Sequence, residues 1–249
     1  MSDDLLPWPE GTNRVILETC DSTMAEAARR APTLDRPTWI MALHQSDARG
    51  RRGTSWSHGP GNFAATYVLK PGGNPASAAL RSFAAANALF ETLAMFTDRT
   101  RLGLKWPNDV LLNGGKIAGI LLESTGKAGQ IDWLSVGFGV NLRHAPDIRD
   151  AAFPPVSLAS EKATIPDLDE LLSILASNMA TQERIFSELG FAPIRESWLR
   201  QAARLGEVIT ARTARGETTG VFETVDEAGR LVLKSPKGLV AIPAAEVYF

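Results

Sequence analysis

Arg49, Arg51 and Arg52 fall within Ala48-Arg49-Gly50-Arg51-Arg52-Gly53, inside a glycine-rich stretch from His44 to Asn62 that has no amphipathic period. A guanidinium is always charged, and its planar fork matches carboxylate and phosphate oxygens. Connections in compact domains usually run to about 4–6 residues, and structureless ones beyond about 12–15 are commonly functional. Three fixed cations on so permissive a backbone have two readings of equal weight. One is a mobile cover that orders over an anionic ligand; the other is a solvated basic loop or an RNA-contacting patch. A phosphate-cradling P-loop is excluded, because G-x-x-x-x-G-K-[ST] does not occur.

A second group is Lys105-Trp106-Pro107-Asn108-Asp109, followed by Gly115-Lys116-Ile117-Ala118-Gly119. Pro107 imposes an extended or turning backbone on Trp106. Asn108 and Asp109 then lie at a strand or turn edge, where a carboxylate can hold Mg²⁺. Taken in isolation, the pair reads more simply as an Asx turn. Period-2 alternation puts Lys116 on one face with Ala118, Ile120 and Leu122. A lysine opening an apolar face needs an anionic partner or a route to water, and the ligand contact is the favoured reading.

In Gly137-Phe138-Gly139-Val140-Asn141 the two glycines and Asn141 share one face of a strand, with Val136, Phe138 and Val140 on the other. Bare backbone in a strand marks a close approach, by a ligand or by a packed helix. His44, His58 and His144 lack metal-type spacing and read as polar loop or strand-end residues. Cys20 reads as a small buried hydrophobe, and no G-x-S-x-G elbow occurs.

The elements that must position these residues are legible from pattern. Arg14–Cys20, Thr38–Leu43 and Asn62–Leu69 are predicted strands, and a helix entered through Asp21, Ser22 or Thr23 joins the first two. Asn74–Phe96 is predicted as one helix, broken only at its ends. Leu102–Ser124 and Ile131–Leu142 are strand-like, with a type I′ hairpin at Asn113-Gly114. Arg143–Ser160 is a proline-punctuated loop, and Asp167–Leu189 and Ala192–Leu205 are helices. From Gly206 onward short alternating runs and glycine turns predict a small antiparallel barrel of about five strands. The expectation is an α+β fold, a mixed sheet with flanking helices over residues 1–203, followed by the barrel over 204–249.

Composition narrows the function classes. A net charge of −2 lacks the basic field of a dedicated nucleic-acid or membrane-surface binder. One cysteine excludes a disulfide framework. The acidic, proline-broken start is no signal peptide, and no run approaches the roughly 18 apolar residues of a membrane span. A cytoplasmic protein is expected.

Taken in order, Asp21-Ser22-Thr23, the arginine loop, Lys105–Asp109, Gly114–Glu123 and Gly137–Leu142 resemble the motifs of the biotin–protein ligase family. The resemblance spans nearly the whole chain and is carried most by K-W-P-N-D followed by G-K-I-A-G. It implies a C-terminal SH3-like barrel, ATP and Mg²⁺ as cofactors, and conversion of biotin to biotinyl-5′-AMP. Transfer to a lysine of the biotin carrier domain of a carboxylase would follow. Ser22, Thr23 and Gln45 would hold the biotin ureido ring, with Met24 at the pocket edge. Arg49, Gly50 and Arg51 would wrap biotin and the adenylate, Arg51 retaining the reactive anhydride, with Arg52 beside them on the nucleotide. Lys116 would bridge the biotin carboxylate and the α-phosphate. Lys105, Asn108 and Asp109 would serve the nucleotide, Asp109 its metal, and Asn141 would lie near the adenylate. Two departures are Ala48 at the loop's first glycine and Met24 where many relatives carry asparagine. About a dozen residues precede the first strand, so a ligase-only form without a DNA partner is expected; a homodimer is left open. A lipoate- or octanoate-transferring relative of the same fold and an RNA-binding module are the alternatives.

Overall fold

Phe63–Leu69 is buried along all seven residues, and a strand of that kind needs cover on both faces. The computed structural model describes residues 7–50, 56–57, 59–148, 153–213, 216–243 and 246–248. Its first sheet comprises β1 (Asn13–Cys20), β2 (Thr38–Gln45), β3 (Phe63–Leu69), β4 (Leu102–Lys105), β5 (Asp109–Leu112), β6 (Gly115–Lys127) and β7 (Gln130–Val140). Their spatial order is β1-β2-β3-β7-β6-β5-β4. β1 and β2 are parallel, joined by a crossover through α1 (Thr23–Arg30), and the other neighbours are antiparallel. The sheet is therefore mixed, as expected.

Two layers cover it. α1 packs over β2, β3 and β7, where Ala27, Ile40, Val68 and Trp133 share a small core. The opposite face carries α2 (Pro75–Ala79), α3 (Arg81–Leu93), α4 (Leu168–Leu189) and α5 (Phe191–Arg200). Phe83, Leu89 and Phe90 of α3 join Phe63, Tyr67 and Phe138 of the sheet in the main cluster. Asn113 and Gly114 turn β5 into β6 with φ of 50° and 80°. They are the two-residue hairpin loop that Asn-Gly predicts.

Three expectations need correction. The helix expected over 74–96 is two, because the ladder tightens at Leu80 to an i−3 bond from Phe83 N–H, and α3 stops at Leu93. The last helix stops at Arg200, short of Leu205. Its continuation instead turns alongside β4, where Leu104 N–H donates to Gln201 and Ala203 N–H donates to Leu104, both at 2.8 Å. Cys20 is half-buried, because β1 is an edge strand. Burial and the nearby Asp21 and Glu26 raise its thiol pKa.

The chain ends in a five-stranded antiparallel SH3-like sheet of β8 (Val208–Thr213), β9 (Gly216–Val225), β10 (Leu231–Ser235), β11 (Gly238–Ile242) and β12 (Glu246–Tyr248), ordered β11-β10-β9-β8-β12. Ile209, Phe222, Leu233 and Val247 belong to the same buried cluster as the first sheet. Trp198 of α5 meets Phe222 with ring centres 6.5 Å apart, and Trp106 Nε1 donates to the Gly229 carbonyl at 3.0 Å. Among the described residues no helix is long and apolar enough to cross a membrane.

Candidate active site

The N-terminus of α1 and the end of β2 build a compact polar corner. Ser22 caps α1, its Oγ accepting from Met24 N–H at 3.2 Å. Gln45 Oε1 accepts from Thr23 N–H at 2.7 Å, and Thr23 Oγ1 accepts from the Thr66 hydroxyl at 2.9 Å. Ser22, Thr23 and Gln45 are all buried. Each hydroxyl retains hydrogen-bonding capacity beyond these contacts. Outside the corner Arg29 grips Asp21 through two bonds of 2.7 and 2.9 Å, and its guanidinium holds that carboxyl far below the usual carboxylate range.

Beside this corner the sheet is bare, and the two glycines of β7 are bare for different reasons. A Cβ on Gly137 would lie 2.7 Å from Met24 Sδ, so α1 itself is the close approach there. A Cβ on Gly139 would lie 2.7 Å from the Trp56 indole, and one on Gly119 of β6 would lie 3.2 Å from it. The Trp56 ring thus rests on a glycine floor.

Lys116 reaches the same floor by a route that strict alternation misses. Across β5–β6, Leu111 faces Lys116 but Val110 faces Ala118, so Ile117 is the extra residue of a β-bulge. The bulge turns Lys116 away from Ala118 and Ile120, which face the core, and brings it beside Gly119. The grouping of Lys116 with 118, 120 and 122 is corrected accordingly. Lys116 Nζ lies 2.7 Å from Asp109 Oδ1, and Lys105 Nζ lies 3.4 Å from Asp109 Oδ2. Lys116 also faces the Trp56 ring at 5.6 Å, and Lys105 faces the Phe153 ring at 4.2 Å. The turn through Trp106–Asn108, with Pro107 in the cis form, delivers Asp109 between the two ammonium groups. Asn108 fastens that turn to β6: its Nδ2 donates to the Ile120 carbonyl, and its own carbonyl accepts from Ile120 N–H. Lys116 is pinned through its backbone between Pro154 and Val156 at 3.0 and 2.9 Å. Asn141 Nδ2 donates to the Val156 carbonyl, while its buried Oδ1 has no partner among the described residues. A buried acceptor of this kind calls for a donor.

All of this borders one cavity of about 660 Å³, within the range of small-molecule sites. The cavity brings together Ser22, Thr23, Met24, Gln45, Arg49, Gly50, Lys105, Asn108, Asp109, Lys116 and Asn141. Arg51 and Arg52 lie outside the described residues, as does His58. Arg49 is exposed at the rim, 3.9 Å from Asp47. Sequence reasoning missed Phe153, Val247 and Tyr248, which line the cavity. The last two belong to β12, and no local pattern links them to a site formed more than a hundred residues earlier. Trp56 was discoverable as an aromatic directly after the arginine loop. Among the described residues no cluster of three or more His, Cys, Asp or Glu could hold a metal by itself.

A cavity of this size, with two lysines meeting at one carboxylate on its wall, suits a small anionic ligand. Comparison with known proteins supplies the family. Residues 16–141 match the biotin/lipoate A/B protein ligase family, and residues 205–249 match the biotin protein ligase C terminal domain. The chain is 48% identical over 238 residues to the biotin--[acetyl-CoA-carboxylase] ligase of Paracoccus denitrificans, covering 94% of this chain and 99% of that protein. It is 26% identical to the bifunctional ligase/repressor BirA of Escherichia coli, covering 90% of this chain and 70% of that protein. The biotin protein ligase of Aquifex aeolicus in complex with biotin and ATP shares the fold, with a TM-score of 0.79 and 22% identity over 94% of this chain and 98% of that one. The chain belongs to the biotin/lipoate A/B protein ligase family.

Proposed function

We propose that the protein is a biotin–protein ligase that joins biotin to a lysine of a carrier domain in two steps. In the first, a biotin carboxylate oxygen attacks the α-phosphorus of ATP, the bond to the β-phosphate oxygen breaks, and pyrophosphate leaves. In the second, the acceptor lysine amine attacks the acyl carbon of biotinyl-5′-AMP, AMP leaves, and the amine loses a proton. The observation that carries this reading is the pair of cations, Lys105 and Lys116, meeting at Asp109 in the cavity wall. The first step brings two anions together, so it needs positioning and concentrated positive charge more than covalent help from the protein.

The assigned roles follow the cavity. Ser22, Thr23 and Gln45, with Met24 at the edge, take the ureido end of biotin. Lys116 exchanges Asp109 for the biotin carboxylate and the α-phosphate. Arg49, Gly50, Arg51 and Arg52 cover the adenylate, and the acceptor Asn141 Oδ1 receives a donor from it. Lys105 and Asn108 serve the nucleotide, Lys105 by charge and Asn108 by holding its turn. A single carboxylate suits Mg²⁺, which is usually held by one or two carboxylates plus substrate phosphates. Asp109 would hold it with the triphosphate, and the ion would supply further charge neutralisation. The division into residues 1–203 and 204–249, a biotin carrier domain of a carboxylase as acceptor, and a cytoplasmic location belong to the same proposal.

The test is pyrophosphate release from ATP and Mg²⁺ by the purified protein with biotin, lipoate or octanoate. Release with biotin alone supports the assignment. Release only with lipoate or octanoate keeps the fold and replaces the substrate, and none with any of the three removes the adenylating activity.

A further inference from the structure

Thr66 stands at the middle of β3, a strand buried along its whole length, and is itself 0% exposed. In the sheet it is paired with Ile40 of β2 on one side and Gly137 of β7 on the other. Neither neighbour offers a side chain that can hydrogen-bond. A hydroxyl shut away from water must spend its hydrogen on a protein acceptor. Thr66 spends it upward, on Thr23 Oγ1 at the start of α1, at 2.9 Å. Thr23 lines the cavity, and Thr66 lies behind it.

The other hydrogen bonds of this corner have a fixed direction, because each contains a group that acts one way only. Thr23 N–H can only donate, so Gln45 must turn Oε1 toward it, and the Nε2 group with its two hydrogens is left over. Met24 N–H can only donate, so Ser22 Oγ lends it a lone pair, and that contact leaves the Ser22 hydrogen uncommitted. Thr66 completes the pattern. Because it donates to Thr23, Thr23 keeps its own hydrogen for the cavity. With the pair reversed, Thr23 would offer the cavity lone pairs alone. A hydroxyl that accepts a hydrogen bond is also polarised into a stronger donor.

We infer that Thr66 is a positioning residue for specificity: it commits the Thr23 hydroxyl to donating, so that the corner selects a ligand group that accepts over one that donates. The inference rests on the reading above, in which this corner takes the ureido end of biotin. It deepens that reading by giving the hydrogens of Thr23, Ser22 and Gln45 to the ureido oxygen. One lone pair remains on each of the two hydroxyls for the ring N–H groups. A ligand of the same shape with a protonated imine in place of that oxygen sets hydrogen against hydrogen, and leaves donors on both sides unpaired.

The experiment measures the Kd of the wild type, Thr66→Val and Thr66→Ser for biotin and for iminobiotin, whose imine is protonated at neutral pH. The wild type should bind biotin at least about tenfold more tightly than iminobiotin. Thr66→Val keeps the shape and removes the hydrogen. It should weaken biotin about three- to tenfold and iminobiotin less, because a released Thr23 hydroxyl can turn its lone pairs to the imine. The ratio of the two constants therefore falls, and Thr66→Ser, which keeps the hydroxyl, should hold it near the wild-type value. A folded Thr66→Val protein that weakens both ligands equally, or neither, overturns the assignment. If the valine variant does not fold, a wild type that binds iminobiotin as tightly as biotin overturns it instead. A wild type that shows the preference and the Thr66 effect but releases no pyrophosphate supports the assignment and removes the ligase reading. One that does not bind biotin removes both.

Discussion

At the scale of single residues, the proposed chemistry centres on two charges held close to one carboxylate. Lys116→Ala should lower biotin-dependent pyrophosphate release by about 10²–10³-fold, the scale seen when a preorganised transition-state contact is removed. Asp109 keeps Lys105 as a partner, so the thermal unfolding midpoint should move little; near-normal turnover by a folded variant would take Lys116 out of the centre. Arg51→Gly tests retention of the anhydride. Biotinyl-5′-AMP should escape and label bystander proteins, read on a blot for protein-bound biotin, and undiminished selectivity would reject that role. Most of these residues were visible in the sequence because short segments carry them: Lys105–Asp109, Gly115–Gly119 and Gly137–Asn141. The face on which Lys116 points was not visible. It depends on a bulge, and a bulge is a property of the pairing of two strands.

At the scale of elements, the helices that support the site are tied by a buried ion pair. Arg81 of α3 meets Glu183 of α4 at 3.1 Å and stacks over Phe186 at 4.5 Å. Burial raises the Glu183 pKa, although Arg81 opposes the shift. A carboxyl whose folded pKa is above its unfolded value favours the native state most below the unfolded value. That contribution is lost as pH rises through the raised pKa. Glu183→Gln should therefore flatten the pH dependence of stability across that window. Arg81→Met, by leaving the carboxylate buried and unpaired, should destabilise the fold by about 3–5 kcal/mol at neutral pH, whereas Arg81→Met with Glu183→Leu should be close to neutral. Denaturant midpoints of the three variants check this, and equal midpoints would show that the pair is not tightly coupled. No motif announces the pair, since its members lie on helices separated by the whole β4–β7 meander.

At the scale of the whole molecule, the C-terminal sheet is part of the cavity wall. Val247 and Tyr248 line it, and Arg212 stacks on Tyr248 at 4.6 Å. Ile148 and Phe153 line the same cavity, Phe153 with its ring 4.2 Å from the Lys105 ammonium group. Tyr248→Ala should therefore raise the KM for ATP several-fold while leaving biotin affinity near the wild-type value. An equal loss of both would mean that the residue serves stability alone. Because Phe222, Ile209 and Val247 complete the common core, removing residues 204–249 should also expose apolar surface and promote aggregation.

The sequence by itself determined what local rules govern: strand and helix periods, the Asn113-Gly114 hairpin, a helix entered through Asp21, Ser22 or Thr23, the change of texture at Gly206, and the motif residues that line the cavity. Each depends on neighbours a few positions away, where propensity, capping and turn chemistry act. Only the tertiary structure decided the rest. It assigned Gly137 to Met24 and Gly139 to Trp56, turned Lys116 by one bulge, set Thr66 behind Thr23, and brought Tyr248 to the cavity. These are contacts between segments far apart in the chain. Their partners are chosen by how buried surfaces fit and how buried polar groups are satisfied, and neither leaves a periodic trace in the order of residues.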